Sequence, residues 1–142
     1  MTVNDRARFT TYRPPGFHTL NAYLFVASPE SQITFLENAF DAKELNRTVN
    51  KANGEIANCI LQIGDSCLMI SQARGEFENM RTALYVYVDN VDSVYQRALR
   101  HGATNCFAPM AMDYGDYQGG IIDLHGNYWW ISKRQVTEPY NT

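Results

Sequence analysis

The chain repeats one order of predicted elements, because a strand, a helix and then three strands occur twice along the sequence. When the two halves are aligned, Val26 corresponds to Val88, and Ile70-Ser71 corresponds to Ile131-Ser132. Identity between the halves is slight, but the order of elements and the closing hairpin agree. The repeat therefore restricts the chain to folds that are built from two copies of a βαβββ unit.

Local signals mark the elements of the first half. Residues 19–27 alternate and are rich in strand-forming side chains. A helix begins at Ser28-Pro29-Glu30, because serine caps the helix, proline suits its first position and glutamate meets the positive end of its dipole. The apolar positions of this helix recur at helical spacing: Ile33, Phe35, Leu36, Ala39 and Phe40. Further strands are predicted over 43–50, 56–63 and 66–71.

The second half carries the same signals. It predicts a strand over 82–88, a helix that Asp89 or Asn90 caps and that ends at Gly102, and strands over 104–108, 118–123 and 127–132. The elements predict a single domain over 18–134, with module one at 18–72, a linker at 73–81 and module two at 82–134. An N-terminal arm (1–17) and a C-terminal tail (135–142) complete the predicted organisation.

Composition and charge argue against several classes of function. The 142 residues carry a net charge of −3 with scattered basic residues, whereas nucleic-acid binders show a basic patch. No apolar run approaches the roughly 20 residues of a membrane span, and the N-terminus lacks the apolar core of a signal peptide. The three cysteines show no paired spacing and fit buried thiols in a reducing cytosol. We therefore expect a cytoplasmic protein that binds neither nucleic acid nor a membrane.

Two stretches of the sequence carry distinctive motifs. The first runs from Pro15 to Leu24 and reads PGFHTLNAYL. The second has a fixed spacing of residues near the end of the chain: Tyr114-Gly115-Asp116, Gly119, Asp123, Gly126, Trp129 and Ile131. Together they resemble the opening and closing motifs of the PhnB-like branch of the vicinal oxygen chelate superfamily, which includes glyoxalase I, bleomycin-binding proteins and extradiol dioxygenases. Leu124 and Asn127 depart from the closing motif, since the branch usually has Pro and His there.

The resemblance implies an α+β fold in which two βαβββ modules form a curved mixed sheet, a cup, with the helices on its outer face. It also implies a homodimer. Metal-dependent members place one ligand on the first and one on the last strand of each module. Those positions fall on Asn21, Met69, Ala83 and Trp130. None of them is a credible ligand for Zn²⁺, Ni²⁺ or Fe²⁺, and no histidine takes their place. We therefore expect no metal and no cofactor.

Strand alternation then assigns the side chains to two faces. Leu24, Val26 and their counterparts in module two form an aliphatic set that faces the helices. The opposite set, which we predict to line the cup, combines aromatic with polar side chains: Asn21, Tyr23, Phe25, Met69, Tyr85, Tyr87, Tyr128 and Trp130. A loop over 110–117, which carries Tyr114 and Asp116, borders the cup either as an adaptable lid or as a solvated turn. We expect Asp123 to fix the final hairpin.

This aromatic and polar face predicts a protein that binds a small, planar or aromatic molecule without a metal. In two alternatives the aromatics fill the cup themselves or bury a dimer contact. A third alternative is an enzyme of the superfamily, of lyase, isomerase or dioxygenase type, with an unusual or absent metal site; Asp116 with Tyr85 or Tyr87 would then supply acid–base chemistry. A fourth is an interaction module whose inner face contacts a protein partner.

Overall fold

The predicted repeat is confirmed in a computed structural model of the chain, which describes residues 11–140. The first half contains strand β1 (Tyr23–Val26), helix α1 (Pro29–Phe40) and strands β2 (Lys43–Val49), β3 (Ile56–Ile63) and β4 (Ser66–Gln72). The second half contains strand β5 (Ala83–Tyr87), helix α2 (Val91–Arg100) and strands β6 (Thr104–Ala111), β7 (Asp116–Ile122) and β8 (Tyr128–Arg134).

The two halves form sheets of the same topology. The strand orders are β1-β4-β3-β2 and β5-β8-β7-β6, so the first strand of each module pairs with the last. That pair is parallel in both sheets, and the other neighbours are antiparallel. The fold is therefore α+β with two βαβββ modules, as the resemblance implies.

The described chain divides into two compact units, residues 11–37 with 41–80 and residues 38–40 with 81–140. A short 3-10 helix, Gly75–Phe77, lies in the predicted linker. The predicted module boundaries and the cup stay predictions. Of the predicted arm and tail, residues 1–10 and 141–142 lie outside the described residues. Within residues 11–140, neither helix is long and apolar enough to cross a membrane.

Both helices begin where the sequence predicts. The side chain of Ser28 accepts a hydrogen bond from the Ser31 amide at the start of α1, and Asp41 ends that helix in the left-handed conformation. At α2 the predicted choice between two caps is resolved, because the Asn90 side chain accepts from the Ser93 amide at 3.0 Å. Helix α2 packs on β6, β7 and β8. The predicted apolar stripe of α1 is buried.

Strand alternation divides the side chains as expected. Leu24 and Val26 of β1 are buried, whereas Tyr23, which comes directly before Leu24, is 46% exposed. In β5, Ala83, Tyr85 and Tyr87 are exposed, whereas Leu84 and Val86 between them are less exposed. The aliphatic side chains therefore point to the packed side of each sheet, and the tyrosines point to the other side.

The prediction of a long loop through Asp116 is wrong, because β6 continues to Ala111 and β7 already begins at Asp116. A tight turn of residues 112–115 joins the two strands, and the Met112 amide donates to the Asp116 carbonyl at 2.7 Å. Pro109 reads as a strand breaker in the sequence. It is tolerated here because β6 is an edge strand whose register is irregular between Phe107 and Met110.

Two smaller predictions also need correction. Strand β1 begins only at Tyr23, because the Asn21 side chain forms a local turn in which it accepts from the His18 amide and donates to the His18 carbonyl. Cys59 and Cys67 are buried and form no disulfide, as expected, but Cys106 is exposed. Its position on edge strand β6 explains the exposure.

The final hairpin is fixed by Asp123, as predicted. One carboxylate oxygen accepts from the amides of His125 at 2.9 Å and Asn127 at 3.0 Å. The other accepts from the indole Nε1 of Trp129 at 2.9 Å, and both side chains are buried. The same carboxylate therefore closes the turn and accepts the hydrogen bond of a buried indole N–H.

We expect Asp123→Asn to lower the free energy of unfolding by about 1–3 kcal/mol, because an amide replaces the ionised acceptor and leaves one buried donor without its oxygen. Urea unfolding at pH 7 measures the change. The matched control is Asp113→Asn, since Asp113 is exposed in the 112–115 turn; it should stay within about 0.5 kcal/mol of the parent. Equal stability of the two variants would contradict the role of Asp123.

Candidate functional site

Strand pairing in the second module places aromatic side chains on one face of its sheet. In the parallel β5–β8 pair, Tyr85 lies beside Trp130 and Tyr87 lies beside Ser132. On β7, Gln118 is the register partner of Ser132, and Asp116 is the partner of Arg134. Because cross-strand partners point to the same side of a sheet, tyrosines, an amide, a carboxylate and a guanidinium share this face.

Four tyrosines line a cleft on this face, here called the tyrosine cleft: Tyr85, Tyr87, Tyr114 and Tyr140. The cleft has a volume of about 450 Å³ and is open to solvent. Each of the four side chains is between 41% and 56% exposed, so each ring is buried on one side and accessible on the other. The wall is thus aromatic, and its hydroxyl groups supply the polar contacts.

The carboxylate of Asp116 lies beneath these rings and is fully buried. The same carboxylate oxygen accepts hydrogen bonds from two hydroxyl groups, that of Tyr85 and, at 2.7 Å, that of Tyr140. The second oxygen accepts from Nη1 of Arg134 at 3.0 Å. A buried carboxylate is stable only with such partners, so Asp116 orders the side chains around it.

The hydrogen bonds also decide the charge of Asp116. Burial raises the pKa of its carboxyl, but the hydrogen bonds from Tyr85, Tyr140 and Arg134 outweigh burial and hold this pKa below its ordinary value. For Tyr85, burial and then the hydrogen bond to Asp116 raise the pKa of the phenol. For Tyr140, the hydrogen bond with Tyr87 is the largest cause of a raised pKa. At neutral pH the carboxyl is therefore ionised, and these two phenols keep their protons.

A second layer of hydrogen bonds holds the tyrosines in place. The buried amide of Gln118 donates to the Tyr85 hydroxyl at 2.5 Å and to the Ser132 hydroxyl, and its oxygen accepts from Tyr114. Arg134 donates to the carbonyl of Tyr114 and, at 2.9 Å, to that of Glu138. The rings of the cleft are consequently oriented before any guest arrives.

Trp130 and Tyr128 extend the aromatic face along β8. The ring of Trp130 lies 6.2 Å from that of Tyr128 and 6.4 Å from that of Phe107, measured between centroids. Gly120, the register partner of Trp130, leaves space for Phe107, since a Cβ at that position would collide with the Phe107 ring. Tyr128 and Trp130, both predicted site residues, are half-buried. They lie on β8 beside β5 and are not among the residues that line the cleft.

The site residues predicted in module one form a separate cluster. Tyr23 stacks on Phe25 at 4.5 Å, and Phe25 stacks on Phe77 of the 3-10 helix at 4.6 Å. The Tyr23 hydroxyl is 2.8 Å from that of Ser71, and Met69 is the register partner of Tyr23. The amide of Asn21 is instead engaged in the turn with His18.

The structure thus brings three of the predicted tyrosines, Tyr85, Tyr87 and Tyr114, together in one cleft beside a fourth predicted residue, Asp116. Sequence reasoning missed Gln118, Arg134 and Tyr140. Strand alternation could have found the first two, because residues an even number of positions apart lie on the same face of a strand. Arg134 is four positions after Trp130, and Gln118 is two positions after Asp116. Tyr140 lies beyond the last strand, where no periodic pattern applies.

The positions where metal-dependent relatives keep their ligands do not fit a transition metal here. Asn21 uses its amide in a turn, and Met69, Ala83 and Trp130 supply no nitrogen or carboxylate oxygen that could bind one. Asp116 on the second module offers carboxylate oxygens, but these already accept hydrogen bonds from three groups. Within residues 11–140, no group of three or more His, Cys, Asp or Glu side chains is placed to hold a metal ion.

We expect Asp116→Asn to lower the free energy of unfolding at pH 7 by about 2–4 kcal/mol, because Arg134 loses its ionised partner. The folded pKa of Asp116 lies below the unfolded one, so its contribution is complete above about pH 5 and is lost as the pH falls through the ordinary carboxyl value towards the folded pKa. The difference between parent and variant should therefore shrink below about pH 5.

Urea unfolding of parent and variant across a pH series measures this difference. Asp113→Asn is again the control, and its small difference from the parent should change little with pH. A parent–variant difference for Asp116→Asn that stays constant down to about pH 3 would contradict an ionised, hydrogen-bonded Asp116.

Comparisons with known proteins agree with this fold. No family model matches the chain. An uncharacterized protein of Mycobacterium bovis is 32% identical over 121 residues, which cover 78% of this chain and 79% of that protein. The solved structure of TioX from Micromonospora sp. ML1 superposes with a TM-score of 0.67 at 20% identity, covering 86% of this chain and 100% of that one.

A second solved structure carries the name of the superfamily. A member of the glyoxalase/bleomycin resistance protein/dioxygenase superfamily from Sphaerobacter thermophilus superposes with a TM-score of 0.66 at 13% identity, covering 82% of this chain and 97% of that one. The chain therefore belongs to one family with the Mycobacterium bovis protein, and its fold is that of the glyoxalase/bleomycin resistance/dioxygenase, or vicinal oxygen chelate, superfamily, as its sequence resemblance implied.

Proposed function

We propose that the protein binds a small, planar or aromatic molecule in the tyrosine cleft, and that it does so without a metal ion. The observation that carries this proposal is the arrangement of four half-exposed tyrosines around the buried carboxylate of Asp116. A cleft of about 450 Å³ falls within the range of roughly 300–1,000 Å³ that is typical of small-molecule sites.

The chemistry of the wall supports a flat guest. Phenol rings offer wide apolar surfaces for stacking, and their hydroxyl groups give directional contacts at the edges. Tyrosine loses little conformational entropy on binding, and here the hydroxyls of Tyr85 and Tyr114 are already held by hydrogen bonds. A guest would therefore meet an ordered surface and would not have to order it.

An enzyme with an unusual or absent metal site has less support. General acid–base catalysis at neutral pH works best with a group whose pKa lies near 7. The pKa of Asp116 is lowered and that of Tyr85 is raised, so both move away from neutrality. The pair is accordingly better suited to hold a ligand than to transfer its protons.

The assembly and location of the protein belong to the same proposal. The homodimer rests on the resemblance to the superfamily, and the cytoplasmic location rests on the odd number of cysteines and their lack of paired spacing in the sequence. A dimer contact made by the aromatic face itself is the competing use of these side chains, and the variant below distinguishes it from ligand binding.

Tryptophan fluorescence should report binding, because Trp130 neighbours Tyr85 on the same face. We expect saturable quenching by at least one member of a panel of planar aromatic compounds with one to three rings. Tyr87→Ala should weaken that binding about tenfold, since it removes one stacking ring. Tyr12→Ala removes an 83% exposed tyrosine outside the cleft and should bind like the parent.

Two results would overturn the proposal. The first is the absence of a saturable response across the whole panel. The second is a Tyr87→Ala variant that dissociates into monomers in analytical ultracentrifugation while it binds with unchanged affinity, since the face would then serve as a dimer contact.

We also expect binding to be unchanged after treatment with a chelator, and elemental analysis of the purified protein to find no stoichiometric transition metal. One tightly held transition metal per chain, whose removal abolishes binding, would contradict the metal-free part of the proposal.

A further inference from the structure

Two residues of the tyrosine cleft lie outside the strands: Tyr114 in the turn between β6 and β7, and Tyr140 beyond the last strand. Tyr140 is the less firmly anchored of the two. It follows β8 in a segment, residues 135–140, that contains neither helix nor strand. Its ring nevertheless reaches the centre of the site. The hydroxyl donates to Asp116 at 2.7 Å and also contacts the hydroxyl of Tyr87.

The ring of Tyr140 is held from both its face and its edge. The guanidinium carbon of Arg134 lies over the ring, 4.1 Å from its centroid, and the ring of Tyr114 is tilted against it at 6.5 Å. The contacts comprise a buried anionic acceptor, a neighbouring hydroxyl, a cation over the π face and an aromatic wall. Together they form a complete set of contacts for recognising a phenol.

We propose that the tyrosine cleft binds a neutral aromatic ligand that carries a phenolic hydroxyl, and that the side chain of Tyr140 occupies the place of that ligand in the free protein. This inference rests on the function proposed above and names the ligand class for the same site. When the ligand enters, its hydroxyl takes the hydrogen bond to Asp116 and its ring takes the position beneath Arg134, while Tyr140 swings outward.

The charges of the site select this class of ligand. Asp116 has one oxygen that accepts from Tyr85 and Tyr140, and the Tyr140 bond is the one that an incoming group can replace without disturbing the sheet. The replacing group must donate a hydrogen bond, because a second anion would meet the buried carboxylate. A cationic group is disfavoured, because it would lie beneath the guanidinium of Arg134.

The way in which the C-terminal segment is attached allows the exchange. Arg134 contacts this segment through the carbonyls of Glu138 at 2.9 Å and Pro139 at 3.2 Å, in addition to the ring contact with Tyr140. Tyr140 itself is 41% exposed. Its displacement breaks two side-chain hydrogen bonds and two ring contacts, with Arg134 and Tyr114, but no pairing between strands.

Calorimetric titration with 2-naphthol and with 2-methoxynaphthalene tests the inference, because the second compound keeps both rings but has no hydroxyl to donate. We expect 2-naphthol to bind the parent at least tenfold more tightly than the methoxy compound. Tyr140→Ala should bind 2-naphthol about tenfold more tightly than the parent, since the competing side chain is gone. Tyr140→Phe, which keeps the ring but loses the hydroxyl, should lie between the two.

Thr137→Ala is the matched control in the same segment and should bind 2-naphthol like the parent. Equal affinity for the two compounds, or weaker binding of 2-naphthol by Tyr140→Ala, would overturn the inference. If other members of the aromatic panel still bound, the proposed function would stand without it. If no panel member bound, both would fail, so the two outcomes are distinguishable.

Discussion

A single buried charge organises the second module. The carboxylate of Asp116 is removed from water at the start of β7, and leaving it without partners would be destabilising by several kcal/mol. Its donors come from β5, from β8 and from the segment that follows β8, through Tyr85, Arg134 and Tyr140. The need to satisfy one carboxylate therefore ties together three separate parts of the chain and orients the rings around it.

The two faces of the sheet differ in role, since one is packed for stability and the other presents the proposed binding site. Period-two alternation sends the aliphatic side chains to the packed side, where Ile121, Trp129 and Ile131 are buried and Asp123 satisfies the indole of Trp129. The same alternation leaves Tyr85 and Tyr87 half-exposed on the opposite side. The tyrosines of the proposed site are thus carried by a sheet whose other face is packed, which holds them in position.

Much of this arrangement could be predicted from the sequence, and the exceptions have physical reasons. The repeat and the cap signals predicted the elements, and alternation together with the closing motif predicted Tyr85, Tyr87 and Asp116. The extent of β6 was missed because Pro109 breaks most strands but is tolerated at an irregular edge. Tyr140 could not be predicted, because its place depends on how a segment without periodicity folds back onto Arg134.

The most direct measurement is a crystal structure of the protein with a bound member of the aromatic panel. The account predicts electron density for a flat ring among the cleft tyrosines, with a polar atom of the ligand within hydrogen-bond distance of the Asp116 carboxylate. Density for the ligand elsewhere, for example on the Tyr23–Phe25 stack, with the tyrosines around Asp116 unchanged, would contradict it.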